Sequence, residues 1–122
     1  GSQCAIVMID AKKVQNGWEC YVDGGREKTD IKVLDWAQKV QDLGAGGIFL
    51  NSVDQDGTRN GMDMELVDAV TAAVSIPVVV SGGVGSLSHV DEVLQRSGVS
   101  GLACASALHF SDFTVKQFMM RN

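Results

Sequence analysis

The chain has 122 residues, enough for one compact domain and too few for two, and its 45% hydrophobic and 20% charged residues are an ordinary globular composition. A net charge of −5 without any run of Lys or Arg argues against nucleic acid as a partner. No apolar run approaches the roughly 18 residues of a membrane span. Three cysteines, without C-x-x-C spacing, argue against a structural disulfide or zinc site and point to a reducing cytoplasm.

Gly1-Ser2 has no signal-peptide character and reads as an expression scar. The first strand is expected over Gln3 to Asp10, rich in Ile and Val. An excursion follows in which Trp18 to Val22 reads as an extra hairpin strand, ending at Gly24-Gly25. Asp30 is expected to cap a helix to about Leu43, with Leu34, Ala37 and Val40 as its apolar stripe and Gly44 as its stop. The second strand is Ile48 to Val53, followed by a polar loop from Asp54 to Gly61. A helix then runs from Asp63 to about Val74, with Leu66, Val67, Val70 and Val74 on one face. The third strand, Pro77 to Ser81, leads into Gly82-Gly83-Val84-Gly85-Ser86. Ser88 with Asp91 resembles a capping box for a helix through Leu94. The fourth strand is Gly101 to Ala105, and a last helix is expected near Phe113.

Short apolar strands alternating with amphipathic helices predict an α/β fold, a parallel sheet covered by helices. The segments Leu43 to Asn51 and Ser97 to Ala105 repeat one plan of helix end, glycine, small connector and buried strand. The dinucleotide fingerprint fails because position 88 is Ser where the third glycine belongs, and no Walker loop exists. The polar, glycine-rich segments all follow strand carboxyl ends, where a barrel keeps its active site. Four βα units make half of a (β/α)8 TIM barrel, here a single domain over residues 1–122. Such a half exposes strand edges and an apolar face, so pairing with itself or with the missing half is expected.

Asp10 ends the first strand, where a half-shielded carboxylate serves as general acid or base; the plainer reading has it start the loop or pair with Lys12 or Lys13. The Asp54 to Gly61 loop offers turn glycines and free N–H groups to an oxyanion. A calcium loop is disfavoured there, because Arg59 occupies the sixth position, which needs Gly. Ser81-Gly82-Gly83 and Ala105-Ser106 end adjacent strands, and such segments form phosphate cradles in barrels, or serve simply as packing turns. His89, expected on an exposed helix start, and His109, expected in the turn after the fourth strand, lack metal-ligand spacing. No metal and no cofactor is expected. Cys20 reads as the cysteine open to solvent, and Trp18 as a packing residue or a cover for the barrel mouth.

Ile9-Asp10-Ala11-Lys12, Gly24-Gly25 with Thr29, Asp35-Trp36, Gly44-Ala45-Gly46, the Asp54 to Asp63 loop, Ser81-Gly82-Gly83 and Ala105-Ser106 with His109-Phe110 come in one order and spacing. In these the chain resembles the second half of the cyclase subunit family of imidazole glycerol phosphate synthase. The sister isomerase of histidine biosynthesis shares the Asp-Gly-Thr loop and the Ser-Gly-Gly turn. The Ile-Asp-Ala-Lys segment and the stretch from Ala105 to Phe110 favour the cyclase.

The resemblance implies a lyase that takes a phosphorylated ribulosyl aminoimidazole carboxamide nucleotide and ammonia, and releases imidazole glycerol phosphate and the carboxamide nucleotide. It implies that Asp10 is one of two catalytic aspartates, the other lying in the other half. Gly82, Gly83, Ala105 and Ser106 would then hold a substrate phosphate, with Asp56 and Gly57 beside it, while Asn51 and Ser52 line the pocket. A glutaminase subunit is the implied protein partner. Where the family carries Glu before the second strand, at a charged gate for ammonia, this chain has Gly47. It also stops at Asn122, where the family continues. Two other readings stay open: an inactive self-associating half-barrel, and a cyclase-like paralogue delivering ammonia to another acceptor.

Overall fold

The computed structural model describes residues 5–22, 26–58, 60–104 and 107–110. In chain order the elements are β1 (Ile6–Val14), β2 (Gly17–Val22), β3 (Glu27–Lys32), α1 (Val33–Asp42), β4 (Gly47–Ser52), α2 (Met64–Ala73), β5 (Val78–Ser81), α3 (Leu87–Leu94), β6 (Val99–Cys104) and β7 (Ala107–Phe110). They form one sheet in the order β3-β2-β1-β4-β5-β6-β7. The central strands β1, β4, β5 and β6 run parallel, and β2, β3 and β7 are added antiparallel. Alternating βα units around an unclosed parallel sheet are part of a (β/α)8 barrel.

The parallel strands are runs of β-branched and apolar residues because one face is sealed by helices. Ile9 and Ala11, Ile48 and Leu50, Val78 and Val80, and Leu102 are buried. They meet Val33, Ala37 and Val40 of α1, Leu66, Val67 and Val70 of α2, and Val93 of α3 in one core. Each fully buried Val, Leu or Ile contributes about 1.5–3 kcal/mol. The other face shows the alternate residues: Ile6 is 57% and Met8 69% exposed, beside half-buried Phe49 and Val79.

Several boundaries differ from those expected. β1 runs on to Val14, so Asp10 lies within the strand; the extension exists because Asp10–Val14 pairs with Gly17–Tyr21 of β2. The expected helix start at Asp30 is instead the edge strand β3, held to β2 by ladder bonds and by Thr29 Oγ1 donating to the Cys20 carbonyl at 2.6 Å. Asp30 has φ 64°, and α1 begins after Lys32 without a side-chain cap. Ser86, not Ser88, caps α3, its Oγ accepting from the His89 N–H. His109 belongs to β7, which pairs Ala107–Phe110 against Gly101–Cys104, rather than to a turn. Cys20 is buried under α1 instead of open to solvent. The helix expected near Phe113 lies outside the described residues.

Candidate functional site

Parallel register builds the site. Asp10 lies level with Asn51, Asn51 with Ser81, and Ser81 with Ala103. Because side chains alternate along a strand, these four share the face opposite the helices, at the carboxyl ends of β4, β5 and β6 and where β1 passes level with them. The Ser81 hydroxyl donates to Asn51 Oδ1 at 2.8 Å, and Asn51 Nδ2 donates to Asp10 Oδ1 at 3.3 Å. All three side chains are half-buried. Neither nearby lysine pairs with Asp10: Lys12 Nζ sits 5.1 Å over the Tyr21 ring, and Lys13 is exposed on the opposite face of β1 by strand alternation, its backbone N–H meeting Asp54 Oδ2 at 2.6 Å. Among the described residues Asp10 has no ion pair, so the plainer reading of a Lys-paired loop aspartate finds no support.

The loop after β4 is tied on two sides. Its Asp56 N–H donates to the Ser52 carbonyl at 3.0 Å, and Asp54 holds the β1–β2 hairpin through Lys13. At the loop's far end Asp63 uses both oxygens, Oδ1 accepting from the Leu66 N–H at 3.1 Å to cap α2 and Oδ2 accepting from the Trp18 indole at 2.8 Å. Trp18 is therefore a packing residue that staples the hairpin to the start of α2. Asp56, Gly57 and Thr58 are left exposed along this loop. Ser52, by contrast, is 1% exposed on the helix side, with its Oγ lacking a partner. It thus does not share the face of Asp10, against its expected role as a pocket-lining residue.

The loop after β5 needs its glycines. Gly82 and Gly83 have φ of +105° and +98°. A Cβ on Gly82 would lie 2.6 Å from the Ser52 carbonyl oxygen, and one on Gly83 would strike the Gly61 carbonyl. The Gly61 N–H donates to the Gly83 carbonyl at 2.7 Å, so the loops after β4 and β5 lie against each other. His89, half-buried, accepts from the Gly85 N–H through Nδ1 at 3.0 Å. That loop-holding role is structural, as expected for a histidine without metal-ligand spacing, but it places His89 half-buried rather than exposed. Ala105 and Ser106 lie outside the described residues.

At the opposite end of the sheet Gly47 is buried beside Ile6, and a Cβ there would lie 3.0 Å from Ile6 Cδ1. Cys20, shielded by burial and next to the Glu19 carboxylate, has its thiol pushed up to about 11. Glu19 is 8% exposed; Lys28 Nζ stands 3.6 Å from its Oε1, an ion pair longer than a hydrogen bond. Among the described residues no cluster of His, Cys, Asp and Glu is arranged to hold a metal ion. No helix there is long and apolar enough to cross a membrane.

A parallel sheet with helices on one face, and polar residues gathered at the carboxyl ends of the parallel strands on the other, defines part of a βα-barrel protein with a candidate site at the rim. The profile of the family described as "Histidine biosynthesis protein" matches residues 1–114, and the chain belongs to that family. It is 44% identical over 119 residues to "Imidazole glycerol phosphate synthase subunit HisF" of Clostridium botulinum (strain Okra / Type B1), and equally to that of strain Kyoto / Type A2. Both alignments cover 96% of this chain and 47% of the relative, so the chain spans about half the length of these curated relatives.

Proposed function

We propose that this chain supplies one half of a cyclase barrel that closes an imidazole ring on a phosphorylated ribulosyl aminoimidazole carboxamide nucleotide with ammonia. The observation that carries this reading is the row of Asp10, Asn51 and Ser81 at the rim of the helix-free face. Asp10 acts as one general acid–base group, and the second carboxylate comes from the four βα units that complete the barrel. The Gly82–Gly83 turn, Asp56 and Gly57 of the neighbouring loop, and Ala105 with Ser106 hold a substrate phosphate. Backbone N–H groups and the start of α3 suit an anion without a basic surface. Ammonia reaches the site from a glutaminase subunit or as free ammonium; Gly47, in place of a gate carboxylate, favours free entry.

Co-expression with the complementary half of a relative, followed by a turnover assay with ammonium salt, tests this. Ring closure is expected, with a loss of about 100- to 10,000-fold in Asp10→Asn. Equal turnover by that variant refutes the assignment.

A second reading has its own observation, the uncovered apolar face with Ile6 and Met8. On this reading two copies pair face to face as a half-barrel dimer without turnover. Light scattering on the wild-type chain and on Met8→Lys separates the two: a dimer that Met8→Lys dissociates, inactive in the assay, supports the module.

A further inference from the structure

We propose that Asn51 is a positioning residue whose side-chain amide, backed by the Ser81 hydroxyl, keeps the Asp10 carboxyl hydrogen-bonded in both of its protonation states. This deepens the acid–base reading of Asp10 and rests on it. An Asn side chain has an acceptor at one end and two donors at the other. With Asp10 ionised, only the amine end can face it without opposing two lone pairs, which is the arrangement present: Nδ2 toward Asp10 Oδ1 at 3.3 Å. The shorter bond, 2.8 Å from Ser81 Oγ to Asn51 Oδ1, satisfies the other end of the amide in that orientation.

When Asp10 takes up a proton, its new O–H needs an acceptor. A half-turn of the amide about χ2, a soft two-fold torsion, brings Asn51 Oδ1 to Asp10 and Nδ2 to Ser81 Oγ. The serine hydroxyl, which donates or accepts equally well, rotates to match. The proton stays on Asp10 throughout, and only hydrogen bonds exchange. Neither form of the acid is left facing an unmatched partner, which would otherwise penalise one protonation state in a half-buried site. The other titratable groups on this face follow from register: Lys12 on β1, Tyr21 and Glu19 on β2, and Lys28 and Lys32 on β3. Of these Lys12 lies over Tyr21 and Lys28 stands near Glu19 and Asp30, leaving Asn51 as the hydrogen-bond partner of the Asp10 side chain among the described residues.

NMR on the isotope-labelled chain follows the Asp10 carboxyl carbon and the Asn51 side-chain amide through one pH titration. Both are expected to move with a single shared midpoint. Asp10→Asn should remove the pH response of the Asn51 amide, Ser81→Ala should shrink it, and Ser81→Thr, which keeps the hydroxyl, should restore it. An Asn51 amide indifferent to pH while Asp10 titrates overturns the proposal. This wild-type measurement decides even if Ser81→Ala perturbs the fold. In the completed barrel, Asn51→Leu is expected to lower kcat about ten- to a hundredfold, the loss of a hydrogen bond to a charged group, with an altered pH profile and little change in KM. A loss confined to KM makes Asn51 a substrate contact and overturns the positioning role. If Asp10→Asn leaves turnover intact while the shared NMR titration stands, the acid–base reading fails and the hydrogen-bond coupling survives.

Discussion

Replacing Asp63 by Ala removes two bonds from one carboxylate, the α2 cap to Leu66 and the acceptor for the Trp18 indole. Loss of an N-cap costs about 1 kcal/mol. Leaving a half-buried indole N–H without a partner costs about 1–3 kcal/mol more. The sum, about 2–4 kcal/mol, is a large share of the 5–15 kcal/mol stability of a typical domain. Asp63→Asn separates the parts, because its oxygen still caps α2 while its amine end opposes the indole N–H. It should therefore lose only about 1–3 kcal/mol, the indole share. Urea unfolding of Asp63→Ala, Trp18→Phe and the double variant closes a cycle, since Phe drops the N–H and the packing lost with the smaller ring cancels between the two arms. A coupling of about 1 kcal/mol or more is expected between these residues, which lie far apart in sequence but in direct contact. A coupling within about 0.3 kcal/mol of zero would show that the staple contributes nothing and refute the account of how the hairpin is held.

Gly83→Ala should destabilise by about 2 kcal/mol or more, because it combines a positive φ with a collision against the Gly61 carbonyl, and weaken binding of a bisphosphorylated analogue measured by calorimetry. Gly57→Ala, at φ +80° with open space around its Cβ, should be milder in the same unfolding assay, and an equal loss at both sites would discount the collision. Cys20 should resist a thiol reagent at pH 8 until the chain unfolds, as read by peptide mapping. Its raised pKa means that the unfolded thiol ionises first, so this contribution to stability is complete below about pH 9 and falls as pH rises toward 11. Stability that instead grew over that range would contradict the burial.

The four parallel strands were legible because each is an apolar run long enough to seal one face and bounded by glycine or polar residues. β3 was not, since Glu27–Lys32 has a single apolar residue, Ile31, and is a strand only because β2 offers an edge to pair with. The cap of α3 was misplaced by two residues because Ser86 and Ser88 both suit the role, and only the backbone turn after Gly85 chooses between them. Asp10, Asn51 and Ser81 could each be picked out as strand-end polar residues. That they form one hydrogen-bonded row depends on register between strands, which no spacing along the chain encodes. Ser52 shows the same gap, since the alternation that brings Asn51 to the site sends its neighbour into the core.

The row across β1, β4 and β5 also ties chemistry to correct pairing. A slip of one residue between β1 and β4 would set Leu50 or Ser52 level with Asp10, and would turn one strand's apolar set away from the helices. Misaligned chains thus forfeit core and carboxylate partner together, so an off-register species loses the proposed acid–base row along with its stability.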